Sequence, residues 1–130
     1  MKEENQVLKK SKAFAIRTIR LYQYLIEEKK EYIMSKQILR SGTSIGANIK
    51  ECIRAQSTAD FLSKMQIALK EASETEYWLE LLTETEYISD KAADSLLQDC
   101  RELIKMITAI VRTSKENNNL SLYETMNYEL

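Results

Sequence analysis

The chain has 130 residues, enough for one ordinary domain with a single core. It contains no proline and only two glycines, so the usual interruptions of long helices are nearly absent. Nineteen Lys and Arg against 20 Asp and Glu leave a formal charge of -1, which argues against wholesale wrapping of nucleic acid and against adhesion to an anionic membrane.

The first helix is predicted over residues 6–29. Leu8, Ala15, Ile19, Tyr22 and Ile26 return at helical intervals, and Phe14, Leu21 and Leu25 broaden the stripe. The pattern weakens from Glu28 to Ser35, and Ser35 offers a cap for the next helix. The second helix is predicted over 35–54, with Ile38, Ile45, Ile49 and either Cys52 or Ile53 on its apolar face. Gly42 and Gly46 adjoin that face. A glycine inside a helix costs about 1 kcal/mol relative to alanine, so this segment needs compensation. A short distance to a neighbouring helix along Gly42, Gly46 and Ala47 would supply it.

The third helix starts at Ser57, where Asp60 three residues on completes a capping box with Asp in place of the usual Glu or Gln. Its stripe of Phe61, Met65, Ala68, Ala72, Leu79 and Leu82 continues towards Tyr87. At 1.5 Å per residue, a helix of about thirty residues rises roughly 45 Å, which suits a tall bundle. The fourth helix begins near Ser89. Ala93, Leu96, Leu97, Cys100, Leu103, Ile104, Ile107, Ile110 and Val111 come close to a heptad seam. After Thr113 the polar run from Lys115 to Asn119 ends the strong pattern. Residues 117–130 are therefore expected to be a polar tail, whose Leu120, Leu122, Tyr123, Met126, Tyr128 and Leu130 either stay disordered or dock on a neighbouring copy. Four stripes on short connections bury one another most simply as an all-α, antiparallel up-down-up-down four-helix bundle over residues 1–116.

Charge is unevenly placed along this layout. Residues 1–56 hold 12 basic and 6 acidic groups, whereas residues 57–130 hold 7 basic and 14 acidic ones. A basic hairpin can thus pair with an acidic one, within a protomer or between copies. The start of the chain shows no apolar targeting segment, and no run of about 20 apolar residues exists to cross a bilayer, so a cytoplasmic location without membrane attachment is the expectation.

One stretch departs from simple amphipathy. Gln37, Ser41, Ser44, Asn48 and Glu51 recur along one side of helix two, beside the isoleucines. This polar seam is placed to meet helix three near Glu71, Glu74 or Thr75. Buried groups of this kind need partners, because an unmatched one costs about 1–3 kcal/mol. A solvated polar face explains the same spacing equally well.

The arginine, serine, glycine and asparagine pattern from Arg40 to Asn48, followed by Phe61 and the segment from Ile67 to Glu76, resembles a known family. It is the S23-like four-helix-bundle family encoded in intervening sequences of bacterial 23S ribosomal RNA genes. The resemblance implies a four-helix bundle, frequently assembled as a homopentameric barrel. It extends to accessory proteins of diversity-generating retroelements, which associate with a reverse transcriptase and nucleic acid. Those accessory proteins are strongly basic, and this chain is not.

The residues offer little for catalysis. Glu71 and Glu74, or Glu80 and Glu84, share helical faces, yet none has the Glu-x-x-His partner of a bundle di-metal site. Histidine is absent altogether, which removes the commonest neutral-pH base and zinc-enzyme ligand. Cys52 and Cys100 are not spaced as a redox pair or a metal site and read as apolar helix residues in a reducing compartment. No cofactor is expected. Tyr77, Trp78 and Leu79 suggest an interface, although one side of that trio must face an ordinary core.

Two functions of different class follow. The first is a non-enzymatic homo-oligomeric scaffold or adaptor, pentameric by the family resemblance, whose surface recruits a protein partner. The second is an RNA- or DNA-binding accessory protein that contacts phosphates through Lys9, Lys10, Lys12, Arg17, Arg20, Lys36, Arg40, Lys50 and Arg54. The near balance of total charge places the scaffold first.

Overall fold

The computed structural model describes the backbone of residues 2–129 and the side chains of residues 6–117. Four helices follow one another: α1 (Lys2–Glu27), α2 (Met34–Ile53), α3 (Thr58–Glu84) and α4 (Asp90–Glu129). Each packs on the next, and α4 returns to α1 across the sparsest of the four contacts. Sequence neighbours are therefore spatial neighbours, and the short loops make them antiparallel in an all-α, up-down-up-down four-helix bundle.

The core runs through the middle of all four helices. It comprises Leu25, Ile38, Ile45, Ile49, Met65, Leu79, Leu82, Leu103 and Ile107 among its most deeply buried side chains. On α1 the buried face is Val7, Ser11, Phe14, Thr18, Leu21 and Leu25, a strict alternation of four- and three-residue steps. The expected stripe of Leu8, Ala15, Ile19, Tyr22 and Ile26 lies one residue beside it and is only partly covered, with Ile19 40% exposed. Two core positions on α1 are hydroxyl residues, which a search for apolar side chains passes over. On α2, Cys52 enters the core while Ile53 stays 51% exposed.

The turns fix the helix lengths. Lys30 adopts a left-handed φ of 53°, and Glu31 N–H donates to the Leu25 carbonyl at 2.9 Å, closing α1. The buried Glu31 carboxylate then accepts from the N–H groups of Ile33 and Ser35, at 3.2 and 2.8 Å. It caps α2 in place of Ser35, which instead sits inside the helix, fully buried, with its hydroxyl unpaired. At the next turn Ser57 accepts from Asp60 N–H at 3.0 Å, and the Asp60 carboxylate accepts from Gln56 N–H at 3.3 Å. The pairing is reciprocal, with the second bond made one residue earlier than in the usual capping box. Helix α3 stops at Glu84, short of Tyr87, and Glu86 turns the chain with a φ of 65°. Ser89 caps α4 through Ala92 N–H at 3.2 Å.

Helix α4 runs to Glu129 without a break where its apolar pattern weakens. Beyond Asn117 the side chains of the expected tail, including Leu120, Leu122, Tyr123, Met126, Tyr128 and Leu130, lie outside the described residues, and so does their docking.

Candidate interaction surfaces

The two flanks of α2 are built differently. Towards α1, a Cβ added at Gly42 would lie 2.5 Å from Thr18 Cγ2 and 3.0 Å from Thr18 Cβ, too close for any side chain. A Cβ at Gly46 would meet Ser11 Oγ at 3.2 Å, a tight but adjustable approach. The close packing anticipated at the glycines is thus against α1, through Thr18 and Ser11. Both hydroxyls return to their own helix, Thr18 to the Phe14 carbonyl and Ser11 to the Leu8 carbonyl, each at 2.9 Å. They fill small volumes without leaving a buried donor unmatched. Ala47 takes no part, being exposed.

Towards α3 lies the polar seam, and its members divide. Ser41 is fully buried and its hydroxyl lies 2.8 Å from that of Thr75, also fully buried. Thr75 further donates to the Glu71 carbonyl at 2.8 Å. Ser44 and Asn48 are half-buried and bond back along α2, Ser44 Oγ to the Arg40 carbonyl at 2.6 Å and Asn48 Nδ2 to the Ser44 carbonyl at 2.8 Å. Gln37 is exposed. Glu51 is exposed too and pairs with Lys64 at 3.0 Å, and the hydrogen bond and charge of Glu51 raise the Lys64 pKa above its ordinary value. Glu71 and Glu74 both meet Arg40, the former at 3.2 Å.

The nine basic candidates divide as well. Lys10 pairs with Glu102, Arg17 with Asp99 at 2.6 Å and with Ser95 Oγ at 3.0 Å, and Arg40 with the two glutamates. The basic first half of the chain is thereby tied to the acidic second half inside one protomer. Lys9, Lys12, Arg20, Lys36, Lys50 and Arg54 are exposed and form no ion pair among the described residues.

Where α1 and α4 meet sparsely, a groove of about 580 Å³ opens, lined by Ile16, Arg17, Arg20 and Tyr24 on one side and Ile88, Ala92 and Leu96 on the other. Of the aromatic trio on α3, Leu79 is in the core, Trp78 is half-buried and Tyr77 is 57% exposed, its ring set edge-on to Trp78 with centroids 5.7 Å apart. Both cysteines are buried. Burial pushes the Cys100 thiol up to about 12, so it stays protonated, with its sulfur 3.4 Å from the Ala72 carbonyl. Among the described residues, no cluster of three or more Cys, Asp or Glu is arranged to hold a metal ion, and no helix is long and apolar enough to cross a membrane.

Sequence reasoning missed the two hydroxyl residues of α1 and the capping role of Glu31. A signal for the first was present: Ser11 and Thr18 stand seven residues apart in phase with Phe14, Leu21 and Leu25. Glu31 carried none, because Glu is not among the usual capping residues and it stands two residues before the N-cap position, Ile33.

The profile of the 23S rRNA-intervening sequence protein family matches residues 3–109. No curated protein shows significant similarity to the chain. Among solved structures, the crystal structure of a protein of unknown function from the S23 ribosomal protein family of Bacteroides thetaiotaomicron shares 55% identity and superposes with a TM-score of 0.83, over 85% of this chain and 98% of that one. With a family match over most of its length and a solved relative of the same bundle, the chain belongs to the 23S rRNA-intervening sequence protein family.

Proposed function

We propose that this protein is a non-enzymatic, cytoplasmic scaffold that works as a homo-oligomer, with the pentamer of the family resemblance as its form. One observation carries the reading. The four helices already close a core, yet Ile16, Ile19 and Tyr24 of α1 and Ile67 and Tyr77 of α3 remain outside it, each 40% exposed or more. Apolar side chains grouped on helix faces favour a partner, whereas isolated ones need no explanation. Sedimentation velocity tests the reading directly: a stable species of about five chain masses is expected at low micromolar concentration, and a monomer persisting to high micromolar concentration would overturn it.

The second reading is an accessory protein beside a nucleic-acid enzyme, as the resemblance to retroelement accessory proteins implies. Lys9, Lys12, Arg20, Lys36, Lys50 and Arg54, exposed and without ion pairs among the described residues, favour it. Weak or absent binding to duplex DNA, single-stranded DNA and structured RNA near physiological salt is expected under the scaffold reading. Submicromolar, strongly salt-dependent binding would promote the accessory role.

A further inference from the structure

Among the described residues, two helices that do not pack on one another carry most of the large exposed apolar side chains on the bundle's sides. On α1, Lys9, Lys12, Ile16, Ile19, Gln23 and Ile26 recur at alternating three- and four-residue steps, opposite and beside the core face. On α3, Ile67, Lys70, Glu74, Tyr77, Leu81 and Glu84 do the same. Each is a second heptad seam on a helix whose first seam is already spent on the core. Among the described residues, no side chain of α4 stands among the large exposed hydrophobic ones, and α2 contributes only Ile53, at its last position.

Charge distinguishes the two seams. Helix α1 holds six basic and three acidic residues, while α3 holds two basic and six acidic. The internal ion pairs use Lys10 and Arg17 from α1 and Glu71, Glu74 and Glu76 from α3. They leave Lys9 and Lys12 on one seam with Arg20 beside it, and Glu84 on the other with Glu80 beside it, without ion pairs among the described residues. Lys70 and Glu27 are minority charges on their faces.

We propose that copies of this chain join head to tail, the outward face of α1 in one copy packing against the outward face of α3 in the next. The inference rests on the self-assembly reading above and names its two faces. Like faces would set cations against cations or carboxylates against carboxylates, whereas unlike faces bring apolar residues together between opposite charges. Such a contact is heterologous. It leaves one unsatisfied face at each end of a chain of copies until the last meets the first, and so it serves a ring with an odd number of protomers, which isologous contacts alone cannot build.

Paired charge reversals test the faces without touching the core, since all four positions are exposed. Lys12→Glu with Arg20→Glu, and separately Glu80→Lys with Glu84→Lys, should each raise the dissociation constant of assembly by about tenfold or more. The chain carrying all four reversals should reassemble to the wild-type mass, with circular dichroism confirming helicity in each case. A wild-type chain that is monomeric in sedimentation would overturn the self-assembly reading itself. A wild-type oligomer whose quadruple variant stays dissociated, or whose α3 reversal leaves the mass unchanged, would overturn the head-to-tail faces alone.

Discussion

Helix α2 is held on one flank by volume and on the other by polarity. Against α1 it offers Gly42 and Gly46 to Thr18 and Ser11, whose hydroxyls are already satisfied within α1. Nothing is exchanged across that boundary except space. Against α3 it offers Ser41 to Thr75, Arg40 to Glu71 and Glu74, and Glu51 to Lys64. The first flank sets how closely two helices approach and tolerates no added atom at its tightest point. The second pairs particular groups in a particular register, and solvent reaches most of them.

The largest effect should come from the tightest point of the first flank. Gly42→Ala gains about 1 kcal/mol of helix propensity, but its Cβ would press on Thr18 near the rigid start of that side chain. Overpacking should win, with a net loss of about 2 kcal/mol in urea unfolding at fixed protein concentration. Adding Thr18→Ala should restore more than half of it, as a coupled pair in contact requires. A Gly42→Ala protein as stable as wild type would show that the helices can separate freely.

On the second flank, Thr75→Val keeps the volume and removes the hydroxyl, leaving Ser41 Oγ with only the Ile38 carbonyl at 3.5 Å. A loss of about 1–1.5 kcal/mol is expected. Ser41→Ala in the Thr75→Val background should recover part of it, because no orphaned hydroxyl then remains. Losses that simply add would mean that the two hydroxyls act independently.

Gly46→Ala sharpens the contrast within the first flank. Its Cβ meets the Ser11 hydroxyl at 3.2 Å and backbone no nearer than 3.5 Å, so a shift of a few tenths of an ångström suffices. Stability should change by less than about 1 kcal/mol, as propensity and crowding offset one another. A loss equal to that of Gly42→Ala would assign the whole flank, not one contact, to volume.

The same contrast explains what could be read in the sequence. Helix number and order were legible because α2 to α4 keep apolar residues at helical spacing and Ser57 signals the start of α3 by a side chain that acts locally. The face of α1 was not, because Ser11 and Thr18 hold core positions for their size, a property that makes sense only once the glycines across the boundary are known. Likewise the seam could be seen as a polar line, but its division into a buried pair, groups bonded back on their own helix and exposed ion pairs depends on how far α3 stands from α2. Arg40 looked as available for phosphate as Lys9 until α3 brought two carboxylates to it.

Arg40 should show the smallest effect and the clearest dependence on solvent. Its side chain is 50% exposed, and its partners Glu71 and Glu74 stand one turn apart on α3. An exposed ion pair contributes about 0.2–1 kcal/mol, since each charge exchanges hydration for a screened attraction and a long side chain loses freedom. Arg40→Gln also leaves the two carboxylates unneutralised at a spacing where like charges repel by a few tenths of a kcal/mol. Together these place the loss near 1 kcal/mol at low salt. Both contributions are electrostatic and open to solvent, so at about 1 M salt, where the Debye length falls to about 3 Å, the variant and the wild type should unfold at nearly the same urea concentration. A loss that exceeded about 2 kcal/mol and survived high salt would mean that assembly buries this cluster, and would bring the second flank closer in kind to the first.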